Sequence, residues 1–208
     1  MSMEKIAETQ APIHDLIGRR WSARAFSEQP VEPEKLISLF EAARWAASAS
    51  NEQPWAFLVA TQQDPKNFEI MLSVLVDANR GWAKKAPVLI LTLAHTQFDK
   101  DGRANRHAFH DVGQAVANLS LQATALGLTL HQMGGFNVEA ARERFTVPQG
   151  WEPVSVIALG YAGDPESLSE ALQQRETARR QRKPLEAFVF SGAWGHTFPI
   201  TSSATGKG

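Results

Sequence analysis

The stretch from His107 to Gly127 constrains this chain more than any other, because its apolar residues fall on two faces of one helix. Val112, Ala115, Val116, Leu119, Ala123 and Leu126 recur at three- and four-residue spacing as one stripe, and Ala117, Leu121, Ala125 and Leu128 form a second. Such a helix needs cover on nearly all sides. A chain of 208 residues has few elements with which to enclose a long helix completely. Gly113, Ala115, Ala117 and Ala123 are small enough to let another backbone come close, so a subunit interface is the expected source of the missing cover.

The remaining pattern is mixed helix and strand. Pro33 stands at a first-turn position, and Leu36, Leu39, Phe40 and Ala43 then mark an amphipathic helix of roughly four turns that stops near Ala47. Short β-rich apolar runs, Trp55 to Ala60, Val88 to Leu93 and Val154 to Leu159, read as buried strands, with a fourth expected over Leu128 to Gln132. Lesser helices are expected over Ile13 to Arg19, Asn67 to Val76, Val138 to Phe145 and Ser167 to Arg180, and a disordered tail over 201–208. There is no internal repeat and no linker, so one domain is expected over 1–200.

Composition removes several classes of function. Lys and Arg total 21 against 22 Asp and Glu, which is not the basic footprint that binding along a phosphate backbone requires. The chain has no cysteine, which excludes disulfides, thiolate metal sites and cysteine nucleophiles and is compatible with a reducing cytosol. Met-Ser-Met-Glu-Lys does not resemble the start of a signal peptide, and the longest apolar run, Pro87 to Ala94, is too short to cross a bilayer. A soluble cytoplasmic protein with neither nucleic acid nor membrane as partner is expected.

Dinucleotide, P-loop, nucleophile-elbow and zincin fingerprints are all absent. His107-x-x-His110-Asp111 puts two imidazoles on one helical face, but without a third ligand at recognisable spacing a partner- or pocket-facing polar cluster is the preferred reading, and no metal is assigned. Asn118-Leu119-Ser120 matches the glycosylation sequon inside the covered helix and is set aside. Lys84-Lys85 and Arg179-Arg180 read as solvated charge doublets.

Arg19-Arg20-Trp21-Ser22-Ala23-Arg24-Ala25-Phe26 flanks a hydroxyl with cations, a grouping suited to gripping a phosphate, although these residues alone also fit an exposed basic turn. The stretch Arg20 to Phe26 resembles the R-R-S-x-R-x-F opening of the nitroreductase superfamily of FMN enzymes. Ala46 to Phe57, reading A-A-S-A-S-N-E-Q-P-W-A-F, resembles that family's A-P-S-x-x-N-x-Q-P-W-x-F segment at the same junction of helix and strand. Asp111-Val112-Gly113 with Asn118-Leu119 and Ala125 to Leu128 resembles its long central helix. Met133-Gly134-Gly135-Phe136 is similar to its flavin-facing loop, Ile157 to Tyr161 to its last core strand, and Arg182 to Glu186 to its basic C-terminal phosphate contact. The similarity covers about residues 12 to 196. Two positions depart from the pattern: Trp21 replaces a common second Arg, removing a phosphate cation, and Ala47 replaces Pro, loosening a turn near the flavin.

The resemblance implies an α+β fold, a mainly antiparallel central sheet flanked by helices with the long helix at a dimer interface. It implies FMN as cofactor, with Arg20, Trp21, Ser22 and Arg182 or Lys183 at the phosphate and ribitol, and Arg24 and Asn51 near the pyrimidine edge of the ring. Ser48, Gln53, Met133, Gly134 and Gly135 complete the expected cofactor contacts, the Ser48 segment reaching the partner's flavin. A cation beside N1 and the C2 carbonyl favours the anionic reduced flavin, and glycine lets main chain approach N5. No side-chain acid or base is demanded, so no catalytic residue is assigned. The implied activity is NADH- or NADPH-dependent reduction of a nitroaromatic, quinone or similar electron-poor acceptor in a ping-pong cycle. A flavin-binding or flavin-storing protein, or an oxidase- or dehalogenase-type member of the superfamily, is the alternative. His95 to Phe109, carrying Phe98, Arg103, His107 and Phe109, is expected either to form the pocket lid or to be a plain loop leading into the helix.

Overall fold

A computed structural model describes residues 5–199, and the tail expected over 201–208 lies outside them. Four strands, β1 (Trp55–Thr61), β2 (Val88–His95), β3 (Thr129–Met133) and β4 (Trp151–Gly160), form one sheet in the order β1-β2-β4-β3, with every pairing antiparallel. β2 lies inside the sheet and is apolar on both sides. Its alternating side chains feed two separate cores, Leu89, Leu91 and Leu93 one, Val88, Ile90 and Ala94 the other. Between them the register shifts at Thr92/Leu93, where the Thr92 hydroxyl meets the Ser155 hydroxyl at 2.9 Å.

The helices are α1 (Asp15–Arg19), α2 (Pro33–Arg44), α3 (Pro65–Ser73), α4 (Asp77–Ala83), α5 (Ala108–Ala125), α6 (Val138–Arg144) and α7 (Glu170–Thr177). Phe68 and Met71 of α3, Trp82 of α4 and Ala141 of α6 close one core, while Leu39 of α2 with Val112, Ala115 and Leu119 of α5 close the other. The α+β architecture with helices on both sheet faces is therefore the one expected. No helix among the described residues is long and apolar enough to cross a membrane.

Several boundaries differ from the sequence reading, each for a local reason. α2 ends at Arg44 rather than near Ala47, because the chain turns away to begin the Ser48 segment. α3 starts two residues early, where the Asp64 side chain accepts the Asn67 N–H. α4 has no sequence signal, since Asn79 and Gly81 are poor helix formers. It exists because Trp82 and Ala83 are buried and the Arg80 guanidinium binds the carbonyls of Leu72, Ser73 and Leu75. α7 is shorter than expected, ending where Ala178 turns extended.

The two stripes of α5 have different fates. Val112, Ala115, Val116, Leu119 and Ala123 are buried against the sheet and α2. Gly113, Ala117 and Ala125 are exposed, so this chain alone covers one face and leaves the other open. Leu128 departs from its stripe into the core, because Gly127 at φ +75° reverses the chain toward β3. Phe109, on the same face as Gly113 and Ala117, is 51% exposed, and Trp45, just past the end of α2, is 77% exposed.

Candidate functional site

The loop from Arg20 to Phe26 leaves α1 and is gripped from three directions. Arg180 donates through Nη1 to the carbonyls of Lys5 (2.7 Å) and Gly18 (2.6 Å) and through Nη2 to that of Arg20 (2.9 Å). Those carbonyls include ones that the short α1 cannot satisfy within itself. His131 on β3 binds the Ala23 carbonyl through Nδ1 at 3.0 Å, which makes that nitrogen the protonated one. Glu176 of α7 accepts the N–H groups of Arg24 and Ala25 through Oε1, at 2.8 and 3.0 Å.

This grip crowds cations with little to balance them. Burial, and the facing charges of Arg180 and Arg182, lower the Arg20 pKa below its usual value. Burial lowers that of Lys5 as well, with Glu176 opposing and Arg180 and Arg24 adding to the effect. Burial and the Arg24 charge bring the His131 imidazole down to about 4, so it is neutral near pH 7. Arg20 Nη1 reaches the Ser22 hydroxyl at 3.3 Å. Lys5 Nζ lies 4.7 Å from the centroid of the Trp21 ring, a cation–π contact. Arg182 and Lys183 are exposed.

β3 carries the chain from His131 to the remaining glycines. Met133 is buried in the core. A Cβ at Gly135 would lie 2.7 Å from Asn79 Nδ2 and 3.0 Å from Val76 Cγ2, while the Gly135 carbonyl accepts from both Asn79 Nδ2 and the Val76 N–H. Packing on α4 thus demands glycine there. At Gly134 a Cβ would meet nothing within 4 Å, so the main chain is approachable from outside.

The second group of expected residues lies elsewhere. From Ser48 to Gln53 the backbone holds three non-glycine residues in the left-handed region, Ser50 (φ 56°), Asn51 (φ 58°) and Gln53 (φ 53°), a conformation that persists only where surroundings enforce it. The enforcement comes from α5. Buried Asp111 accepts the Ala49 N–H through Oδ2 at 3.0 Å, and Gln114 Nε2 donates to the Ala47 carbonyl at 3.3 Å. Ser48 Oγ accepts the Gln53 N–H, and Gln53 Nε2 donates to the Asn51 carbonyl, both at 3.0 Å. The turn expected to loosen at Ala47 is thereby tied down. His110 Nδ1 meets Asp111 Oδ1 at 3.1 Å, so His110 and Asp111 serve this loop, and no group of three metal-ligating side chains exists among the described residues.

The stretch from His95 to Phe109 docks against the same loop. Its Gln97 and Ala104 bridge into a hairpin, the His95 ring stacks on Trp151 at 4.8 Å, and the Asp99 N–H donates to Glu52 Oε1.

The two groups belong to opposite ends of α5. The Ser48 segment binds near Asp111, whereas Lys5, Arg20 and Trp21 border a cavity of about 160 Å³ together with Thr124 and Gly127. From Asp111 to Thr124 is roughly 20 Å of helix. That cavity is smaller than the roughly 300–1,000 Å³ of typical ligand pockets, so one chain by itself does not enclose a drug-sized ligand there.

Lys5, Asp111, His131, Glu176 and Arg180 were not singled out as contacts of this site from the sequence. Arg180 had been read with Arg179 as solvated surface, which holds for Arg179, paired with Glu8, and fails for Arg180. Glu176 and Arg180 do stand four apart, but that spacing ordinarily marks a surface pair on a helix.

Comparison with known proteins follows the same lines. The model of the nitroreductase family matches residues 17–161. A protein of Archaeoglobus fulgidus named "Putative NADH dehydrogenase/NAD(P)H nitroreductase" is 27% identical over 166 residues, 75% of this chain and 88% of its own. An uncharacterised 15.4 kDa protein of Mycolicibacterium smegmatis is 38% identical over 125 residues, 60% of this chain and 83% of its own. Among solved structures, an oxidoreductase containing FMN superposes with a TM-score of 0.87 at 30% identity, covering 95% of this chain and all of that one.

Proposed function

This chain belongs to the nitroreductase family, and from that premise we propose that it is an FMN-dependent oxidoreductase that uses NADH or NADPH to reduce nitroaromatic, quinone or similar electron-poor acceptors. The observation that carries the reading is a chain of facing cations: Arg24 and Lys5 beside the buried carboxylate Glu176, and Arg180 facing Lys5, Arg20 and Arg182. Positive charges held together without enough counter-charge are a site prepared for an anion, and one phosphate monoester supplies about two negative charges. The residues present therefore fit FMN. The absence of any dinucleotide fingerprint supports FMN over FAD.

Arg20, with Ser22 and Arg182 or Lys183, holds the phosphate, and Trp21 contributes the ring on which Lys5 rests. Arg24 presents a cation to the pyrimidine edge, and the open main chain at Gly134, after Met133 and held by the packed Gly135, lines the ring. FMN, when bound, supplies the hydride chemistry, so this chain's residues bind and orient rather than exchange protons.

Ser48, Asn51 and Gln53 enter from a second copy. They lie at the other end of α5 from Arg20, and a two-fold axis across the open face at Gly113 and Ala117 turns one end of the helix toward the other in the partner. The strained Ser50 and Asn51 backbone supports a role beyond this chain's own packing. The hairpin from His95 to Phe109 bears on Glu52 and forms the lid of the pocket so completed.

A domain of this length carries no second nucleotide site, so NAD(P)H and acceptor use one place in turn, and the nucleotide leaves before the acceptor enters. The visible spectrum of the purified protein, with chromatography of heat-released cofactor, is the first test: FMN supports the reading, FAD or a colourless protein that takes up no FMN overturns it. Parallel double-reciprocal lines at several acceptor concentrations are then expected, and intersecting lines would exclude the ping-pong order.

A further inference from the structure

Glu176 is 1% exposed on a mostly polar helix, one turn after Leu172, which packs against the core. A buried carboxylate persists where it is hydrogen-bonded and faces cations. Its Oε1 meets the first condition, accepting the Arg24 and Ala25 backbone N–H groups. Oε2 is different. It is buried without a hydrogen-bond partner, and the cation across from it is Arg24 Nη1 at 3.9 Å.

The other charged groups near Glu176 are Lys5, whose Nζ donates to the Glu176 carbonyl at 2.6 Å, and Arg180, which lies past the end of α7 and faces Lys5. His131, packed on the far side of Arg24's loop, is neutral near pH 7. Glu176 is thus the carboxylate that faces Arg24 among the described residues. The backbone task needs only one acceptor oxygen, and a glutamine amide would serve it equally. What the second oxygen adds is charge, directed at the residue assigned to the electron-accepting edge of the cofactor.

We propose that Glu176 is a positioning residue for the cofactor: Oε1 fixes the backbone from which Arg24 projects, while the free Oε2 draws back the Arg24 guanidinium and offsets its charge, setting how strongly the site favours added electrons. The inference rests on the FMN reading.

Glu176→Gln keeps the two backbone contacts and the shape, and removes the charge. In the FMN-loaded protein it is expected to favour reduced over oxidised cofactor about tenfold more than wild type does, a rise of about 30 mV in midpoint potential for a two-electron couple. The melting temperature should stay near that of wild type. Glu176→Asp keeps the charge but shortens the reach, so it should retain the wild-type potential while binding FMN more weakly. In an Arg24→Ala background the Glu176→Gln shift should largely vanish, because its mediator is gone. A wild-type potential in Glu176→Gln, or an undiminished shift without Arg24, overturns the inference while leaving the FMN reading intact. A wild-type protein that binds no FMN overturns both.

Discussion

Arg180 reaches back across the chain to donate to the carbonyl of Arg20 at 2.9 Å, so that one arginine holds in place the backbone that presents another. Burial lowers the pKa of Arg20, and the facing like charge of Arg180 adds to the effect. An arrangement that costs stability in the empty protein is one that an anion stabilises on binding.

Arg180→Ala should therefore act on structure and on binding together. It leaves the Lys5, Gly18 and Arg20 carbonyls without their shared donor, a loss of about 2–3 kcal/mol, or roughly 5–10 °C in melting temperature for a chain of this size. Arg179→Ala, which removes only an exposed pair with Glu8, should shift melting by less than about 2 °C. Differential scanning calorimetry of the two variants checks the contrast, and equal effects would refute the assignment of separate roles.

Arg20→Ala should weaken FMN far more than it weakens the fold. A charge-assisted contact to phosphate contributes on the order of 1.5–3 kcal/mol, which is roughly ten- to over a hundredfold in affinity. Titration of apoprotein with FMN, followed by flavin fluorescence, measures it. Raised salt should narrow the gap between wild type and variant, since the contact is between charges.

His131 gives the protein an acid-sensitive window. Its imidazole has a pKa of about 4 in the folded chain against 6.5 when unperturbed, so the unfolded state binds the extra proton first as pH falls. The stability it contributes is complete above pH 6.5 and is lost progressively as pH falls toward 4, by up to about 3 kcal/mol. Urea unfolding between pH 7 and pH 4 should show this slope in wild type, and His131→Gln should flatten it.

The open face of α5 should mediate self-association. Light scattering at low micromolar concentration is expected to give twice the chain mass. Ala117→Glu, which is exposed in the single chain and costs nothing to its own core, should yield monomers that also release flavin. Monomers that keep stoichiometric flavin would contradict the shared site.

What could be read from the sequence was whatever depends on neighbours close in the chain. The continuous β-rich apolar run of β2 and the three- and four-residue spacing in α5 come from the geometry of single strands and helices, so Val88 to His95 and Ala108 to Ala125 were legible to within two residues. The Arg20 to Phe26 and Ser48 to Gln53 segments were legible only through their resemblance to the family's motifs, since their residues alone also fit an exposed basic turn and a loop. Tertiary structure alone decided what holds them. Glu176 and Arg180 lie more than 150 positions from the loop they grip, and Asp111 is 62 positions from Ala49. No local periodicity encodes such contacts, since a carboxylate or guanidinium reads as surface until the fold withdraws water from it and supplies a backbone partner. The α4 helix is the same case in apolar form: Asn79 and Gly81 disfavour it locally, and burial of Trp82 outweighs them.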